Sequence, residues 1–331
     1  MAAMARSEPE LRRDPFTGRW VWFVPQRLGR PSDWVRAMAP SSEPGVVARD
    51  ARECPFCPGH EAQTPPEIWA LRADPDDPTS WRIRVIPNKY PINDSHELIV
   101  ETPHHGLDLA DLPEAHLAQL LAVYKARFEA RAREGRWRFV ALFKNHGRGA
   151  GATRVYAHAQ LLGLPVVPPL VREELRRARR AFARTGRCPY CATLERELQT
   201  GERLVDQDEH GVAWAPYASR MALECWLLPR RHQADFRDAS PQELAALARL
   251  LGRTLKRLKR AVPEGAYAYN FYLHTLPVGL ERAHPEHADS YHWHLEIVPR
   301  LGRLAGLEWG TGLYVNPVLP EEAARRLREA L

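Results

Sequence analysis

A histidine preceded by a glycine-rich segment could support covalent catalysis in this chain. His158 lies in the otherwise apolar segment 153–165. A neutral imidazole can attack a phosphorus atom and split one difficult displacement into two easier ones. Such a histidine needs donors beside it for the phosphate oxygens, because charge develops there during transfer. The sequence supplies candidate donors at Gly147, Gly149, Gly151, Thr153 and Gln160. A single histidine on an apolar strand more often packs in a core, but the glycine loop that leads into this strand favours the nucleophile.

Four of the five cysteines form two Cys-x-x-Cys pairs, which predict metal sites. The pairs are CPFC at 54–57 and CPYC at 188–191, and Cys225 stands alone. In a reducing compartment such pairs hold metal or act in redox chemistry more often than they form structural disulfides. Structural zinc sites use four Cys or His ligands. The second half of the chain offers a complete set in Cys188, Cys191, His232 and His292.

The first half offers an incomplete ligand set. Its matching ligands are Cys54, Cys57 and His105. The position that corresponds to His292 is Tyr156, and tyrosine rarely binds zinc because its phenol must lose a proton with a pKa of about 10. Tyr156, a water molecule or His60 of CPFCPGH could supply the fourth ligand, or the site could bind metal weakly or not at all. The sequence leaves these alternatives open.

The two halves repeat the same parts in the same order, which predicts a duplicated fold. Each has a Cys-x-x-Cys pair, strands, a histidine, an amphipathic helix (112–134 and 240–262), another strand and a short strand built on X-x-His. Asp111 and Ser240 are the expected helix caps. We therefore predict an α+β protein of two antiparallel-sheet-plus-helix halves related by pseudo-twofold symmetry. The expected domains are residues 1–170, which carry the nucleophile, and 171–331, which carry the second metal site.

Composition is typical of a globular protein rather than of a membrane protein. The 331 residues are 44% hydrophobic and 27% charged, with a net charge of +6. No apolar run approaches the roughly 20 residues of a membrane helix, and the N-terminus lacks the apolar core of a signal peptide. We expect a cytoplasmic protein without a membrane partner. The arginines are scattered through predicted helices, which disfavours a nucleic-acid partner, and a modest positive field suits a phosphate-bearing substrate.

The segment NHGRGAGATRVYAHAQ resembles the active-site signature of the galactose-1-phosphate uridylyltransferases, a branch of the histidine-triad superfamily. The blocks LRRDPFTGRWVWFVPQRLGRP, CPFCPG, PNKYP, CPYC and YHWHLEIVPR are also similar to that family, so the resemblance spans nearly the whole chain. It implies a duplicated histidine-triad-like fold and a homodimer that binds zinc. It also implies a role in galactose metabolism, with transfer of a uridylyl group from UDP-glucose to galactose 1-phosphate through a uridylyl-histidine.

The resemblance also implies roles for individual residues. His158 matches the nucleophile, and Gln160 matches a contact to the phosphate of the intermediate. The positions that match nucleotide or phosphate contacts are Arg27, Arg30, Asn88, Asn145 and Thr153. His292 matches a metal ligand, with His294 and Glu296 near the metal or the sugar. One departure is Tyr156, which replaces the first histidine of the signature and puts the first zinc site in doubt, but not the chemistry.

Two other functions compete with uridylyl transfer. The segments EWGTGLYVNPVLPEE and HWHLEIVPR also resemble adenylyl-transferring relatives that act on ADP-glucose with phosphate as the acceptor. The choice of base depends on a few pocket contacts that one sequence does not fix. A remote alternative is a zinc-stabilised nucleic-acid-binding protein, which would leave the glycine loop, His158 and Gln160 without a role.

Overall fold

Short runs rich in β-branched, aromatic and leucine residues form most of the strands, as their composition predicts. The structure, a computed structural model, describes residues 8–29, 51–152, 156–263 and 265–331. Its strands are β1 (Glu10–Arg13), β2 (Trp20–Phe23), β3 (Trp69–Arg72), β4 (Trp81–Pro87), β5 (Glu97–Val100), β6 (Phe139–His146), β7 (His158–Leu164), β8 (Leu204–Gln207), β9 (Gly211–Trp214), β10 (Cys225–Pro229), β11 (Tyr269–His274), β12 (His294–Pro299) and β13 (Tyr314–Asn316). Its helices are α1 (Glu114–Arg133), α2 (Pro169–Thr185), α3 (Pro189–Thr200), α4 (Pro241–Ala261), α5 (Leu280–Ala283), α6 (Glu286–Ser290), α7 (Gly306–Thr311) and α8 (Pro320–Glu329).

Ten of these strands form one antiparallel sheet whose order reflects the duplication. The order is β3-β4-β5-β7-β6-β11-β12-β10-β9-β8, so the first five strands and the last five mirror each other about the β6–β11 pair. This arrangement confirms the predicted α+β class and the pseudo-twofold relation. The halves share a single sheet rather than two separate ones. Pairing β6 with β11 satisfies backbone groups that two separate edge strands would leave unpaired.

The two long helices cover one face of this sheet. α1 and α4 pack against each other and against strand residues such as Ile99, Ala159 and Leu227 in the largest core cluster. Ser240 caps α4 as predicted, since its hydroxyl accepts from the Glu243 N–H and the Glu243 carboxylate accepts from the Ser240 N–H. The other predicted cap, Asp111 for α1, is wrong.

The segment before α1 forms a separate turn of 3-10 helix. Asp108 caps this turn, and Asp111 is the residue whose carboxylate accepts from the Asp108 N–H. Pro113 then stands at the N-cap position of α1 without a side-chain hydrogen bond. Two residues of the turn are fully or almost fully buried, Leu109 and Ala110. Asp111 is therefore part of this buried turn and does not cap α1.

Smaller elements lie outside the ten-stranded sheet. β1, β2 and β13 form a separate three-stranded sheet, and α2 and α3 join a second core cluster around Tyr190, Trp214 and Trp226. The predicted domain boundary after residue 170 falls in the first turn of α2 and stays a prediction. Among the described residues, no helix is both long and apolar enough to span a membrane.

Candidate active site

Strand alternation places the proposed nucleophile and its glutamine on the sheet face opposite the long helices. His158 and Gln160 alternate along β7 with Ala159, which points into the helix-covered core. The His158 side chain is largely buried, with 8% of the residue exposed. Its Nδ1 lies 2.8 Å from the Tyr156 carbonyl oxygen. A carbonyl only accepts hydrogen bonds, so Nδ1 carries the proton and Nε2 carries the lone pair of the neutral ring.

The glycine loop before β7 makes a tight turn against the second half of the chain. Gly147 has a φ of +79°, and a Cβ there would lie 2.8 Å from the Ala268 Cβ. Gly151 has a φ of +80° and ends a 3-10 turn, in which its N–H donates to the Arg148 carbonyl. Only glycine meets both demands of Gly147, positive φ and close approach. Gly147 therefore lets this loop lie directly against Ala268 of the second half.

An asparagine from the second half orients the predicted contact Asn145. Asn270 on β11 pairs with Asn145 on β6, and its Nδ2 donates to the Asn145 Oδ1 over 2.7 Å and to the Ala150 carbonyl over 2.9 Å. The Asn145 Oδ1 thus accepts a hydrogen bond within the protein. The amide N–H groups of Asn145 are the part of its side chain that can donate to a ligand. Sequence reasoning missed Asn270, because the repeat order makes β11 the counterpart of β6 but does not show that the two strands pair.

A second predicted contact, Asn88, lies in a hydrogen-bonded chain with Gln160. The Gln160 Oε1 lies 3.0 Å from the His96 Nε2, and the Asn88 Nδ2 lies 3.3 Å from the same ring. His96, just before β5, was not singled out in the sequence. The remaining predicted contacts are less informative. Arg27 is exposed in the short 3-10 helix Pro25–Gly29, and Arg30 and Thr153 lie outside the described residues.

The second predicted metal group is brought together by three elements. Its ligand atoms, from Cys188, Cys191, His232 and His292, all lie within 4.8 Å of one another. The Cys191 Sγ is 3.3 Å from the His232 Nδ1 and 3.4 Å from the His292 Nδ1. A hydrogen bond with Cys188 lowers the pKa of Cys191 to about 3 and raises that of Cys188. Two sulfur and two imidazole donors at these distances suit zinc.

The first predicted group contains three clustered ligands. The ligand atoms of Cys54, Cys57 and His105 lie within 4.8 Å of one another, and the Cys57 Sγ is 3.5 Å from the His105 Nδ1. His60 is outside this group, and its Nδ1 contacts the Cys54 carbonyl at 2.7 Å. The Tyr156 ring meets the His105 ring edge-on, and its hydroxyl is buried without a hydrogen-bond partner among the described residues.

Tyr156 occupies the backbone position that His292 has in the other half. His158 and His294 each contact the carbonyl two residues earlier, at 2.8 and 3.1 Å, so the two strands begin alike. Tyr156→His should therefore complete a Cys₂His₂ set. We expect zinc retained at the first group to withstand about tenfold more competing chelator than in the parent protein. Metal analysis after dialysis against graded chelator measures this.

Tyr156→Phe is the matched control for that substitution, because it removes the hydroxyl without adding a ligand. We expect it to retain no more zinc than the parent protein. Equal zinc retention in Tyr156→His and Tyr156→Phe would show that the first group is not built like the second.

His294 mirrors His158 but is sealed inside the second half. It is 0% exposed, and its ring stacks on Trp226. Its Nε2 lies 3.5 Å from a carboxylate oxygen of Glu296, which also pairs with the buried Arg220. A group without solvent access cannot meet a soluble phosphate, so of these two mirrored histidines the geometry favours His158 as the candidate nucleophile.

Comparisons with known proteins place this geometry in a family. A family profile described as the N-terminal domain of DUF4931, a domain of unknown function, matches residues 38–167. The chain is 31% identical to a protein named ADP-glucose phosphorylase from Arabidopsis thaliana, over 99% of this chain and 94% of the relative. It is 26% identical to a galactose-1-phosphate uridylyltransferase from Thermotoga maritima, over 97% of this chain and 98% of the relative.

Solved structures agree with these relationships. An ADP-glucose phosphorylase from Arabidopsis thaliana with bound ADP-glucose has a TM-score of 0.82 and 32% identity, covering 98% of this chain and 99% of that one. A uridylyltransferase structure has a TM-score of 0.70 and 28% identity, covering 97% of this chain and 98% of that one. The resemblance predicted from the sequence is confirmed. Proteins named ADP-glucose phosphorylase are among the relatives of this chain. The chain therefore belongs to the galactose-1-phosphate uridylyltransferase family and is a nucleotidyltransferase of that family.

Proposed function

We propose that the protein moves a nucleotidyl group from a nucleoside diphosphate hexose to an acceptor phosphate through a covalent bond to His158. In the first step the His158 Nε2 attacks the α-phosphorus. The N–P bond forms while the bond from that phosphorus to the bridging oxygen breaks, and hexose 1-phosphate leaves. In the second step an acceptor phosphate oxygen attacks the same phosphorus, and the N–P electron pair returns to Nε2.

The hydrogen bond from His158 Nδ1 to the Tyr156 carbonyl carries this proposal. It selects the tautomer whose Nε2 lone pair is the nucleophile. The carbonyl also stabilises the positive charge that the ring gains when Nε2 bonds to phosphorus. Amide N–H groups of Gln160 and Asn145 are suited to bind the phosphate oxygens, because they lie on the same sheet face as His158.

Two donors are compatible with this chemistry. The sequence predicts UDP-glucose, with galactose 1-phosphate as the acceptor, and the Thermotoga maritima relative carries the name of that activity. ADP-glucose, with phosphate as the acceptor, is the alternative. Both the identity and the TM-score are higher for the Arabidopsis thaliana proteins named for ADP-glucose. That difference favours an adenylyl donor, and we propose ADP-glucose as the first donor to test.

We also propose that the second metal group holds zinc with a structural role. Cys188 and Cys191 stand at the start of α3, His232 follows β10, and His292 precedes β12. Zinc bound there would neutralise thiolate charge and tie these three segments together. The site fits the ion, because the Cys191 Sγ faces the Nδ1 atoms of both His232 and His292, and the four donor atoms lie within 4.8 Å of one another. The homodimer and the cytoplasmic location stay predictions.

Intact mass spectrometry after separate incubation with ADP-glucose and UDP-glucose tests the function directly. We expect a covalent adenylyl adduct on the protein with ADP-glucose, and loss of this adduct on addition of phosphate. A uridylyl adduct alone, discharged by galactose 1-phosphate, would instead establish the uridylyltransferase. Absence of an adduct with both donors would contradict transfer through His158.

A further inference from the structure

The orientation of the Gln160 amide depends on a histidine outside the reacting centre. His96 lies before β5, and 4% of the residue is exposed. The structure places its Nε2 3.0 Å from the Gln160 Oε1. An amide has an accepting oxygen and a donating nitrogen at nearly equal positions, so its orientation must be derived from its partners.

The partners of His96 determine which of its nitrogens carries the proton. The backbone N–H of Ile92 points at the His96 Nδ1 over 3.2 Å. A backbone N–H only donates, so Nδ1 must accept, and in the neutral ring the proton is then on Nε2. Burial lowers the pKa of His96, which favours this neutral form.

Asn88 also faces the His96 ring. Its Oδ1 accepts from the Tyr90 N–H over 2.9 Å, so its Nδ2 is the group that faces the His96 ring. The Asn88 Nδ2 lies 3.3 Å from both nitrogens of the ring, so this contact does not distinguish them. The Ile92 N–H on Nδ1 therefore carries the assignment and leaves Nε2 as the protonated position.

We propose that His96 is a positioning residue, which holds the Gln160 oxygen by an Nε2–H donor and so turns the Gln160 NH₂ group toward the phosphate on His158. This inference rests on the proposed function. Without His96 the amide can rotate by half a turn and present its oxygen to the phosphate. The partial negative charge of that oxygen would then repel the negative phosphate oxygens. In this proposal His96 acts through Gln160, which its Nε2 contacts, rather than on the reacting atoms.

Two substitutions separate this role from a merely structural one. In His96→Asn, the shorter amide oxygen can still accept from Ile92 but no donor reaches Gln160. In His96→Gln, a longer side chain restores an N–H near the position of the imidazole Nε2. For His96→Asn we expect kcat to fall by about tenfold, the scale of one hydrogen bond, with KM for the nucleotide sugar changed by less than about threefold. His96→Gln should stay within about threefold of the parent kcat.

A double-mutant cycle completes the test. In a Gln160→Ala background, His96→Asn should cause no further loss of kcat, because the group that it positions is absent. Losses that multiply, or an equal fall in His96→Asn and His96→Gln, would overturn the proposal. If His96→Asn does not fold, His96→Gln alone tests the proposal. A kcat of His96→Gln as low as that of Gln160→Ala would overturn it. Adduct formation by the parent protein is measured in the same series, and its absence would refute the proposed function itself.

Discussion

His158→Asn is expected to fold normally, keep its metal and form no covalent nucleotide. Asparagine places an amide nitrogen near the position of the imidazole Nδ1, so the hydrogen bond to the Tyr156 carbonyl can persist. It has no atom at the position of Nε2, and the N–P bond therefore cannot form. We expect turnover to fall by about 10⁴-fold or more, as for other essential nucleophiles. Intact mass after incubation with the nucleotide sugar, together with steady-state turnover, measures the loss.

The same substitution at the mirrored position is the matched control. His294→Asn can keep the bond to the His292 carbonyl, and it alters a side chain that has no solvent access. We expect the folded His294→Asn protein to form the covalent adduct. Normal turnover by His158→Asn would refute the nucleophile, and loss of the adduct in His294→Asn with the fold intact would refute the assignment of a single reactive histidine.

The residues that act through local pattern were predictable from the sequence. A Cys-x-x-Cys pair fixes two ligands by its spacing, and the repeat order supplied His232 and His292, which the structure brings to the same cluster. Alternation along β7 likewise separates His158 from the core-facing Ala159. In these cases a short spacing, the period of a strand or the order of the repeated parts identifies the side chains.

The residues that sequence reasoning missed depend on contacts between distant segments. Asn270 meets Asn145 only because β6 and β11 pair across the two halves, and a repeat in the sequence does not specify how the repeats join. The role of His96 depends on the fold of the loop before β5, which brings Asn88 and Ile92 to one ring. Such hydrogen-bond partners are set by tertiary structure and leave no periodic pattern.

His292→Ala is expected to remove one zinc ion per chain and to destabilise the protein strongly. The residue is 0% exposed, so truncation leaves a cavity as well as an incomplete ligand set. The free energy of metal binding contributes directly to folding, and we expect unfolding free energy to fall by about 3 kcal/mol or more. Metal analysis and thermal unfolding, each with and without chelator, measure the two effects.

Comparison with an exposed histidine and with chelator separates metal loss from the loss of packing. His284→Ala changes a histidine of the same half whose side chain is 55% exposed, and it should keep both zinc and stability. Chelator should lower the Tm of the parent protein more than that of His292→Ala, because the variant has already lost the ion. The remaining difference between the two chelated proteins then reports the cavity alone. An unchanged zinc content in His292→Ala would mean that the ion is held elsewhere, and Cys188, Cys191 and His232 would then form a buried polar cluster rather than a structural metal site.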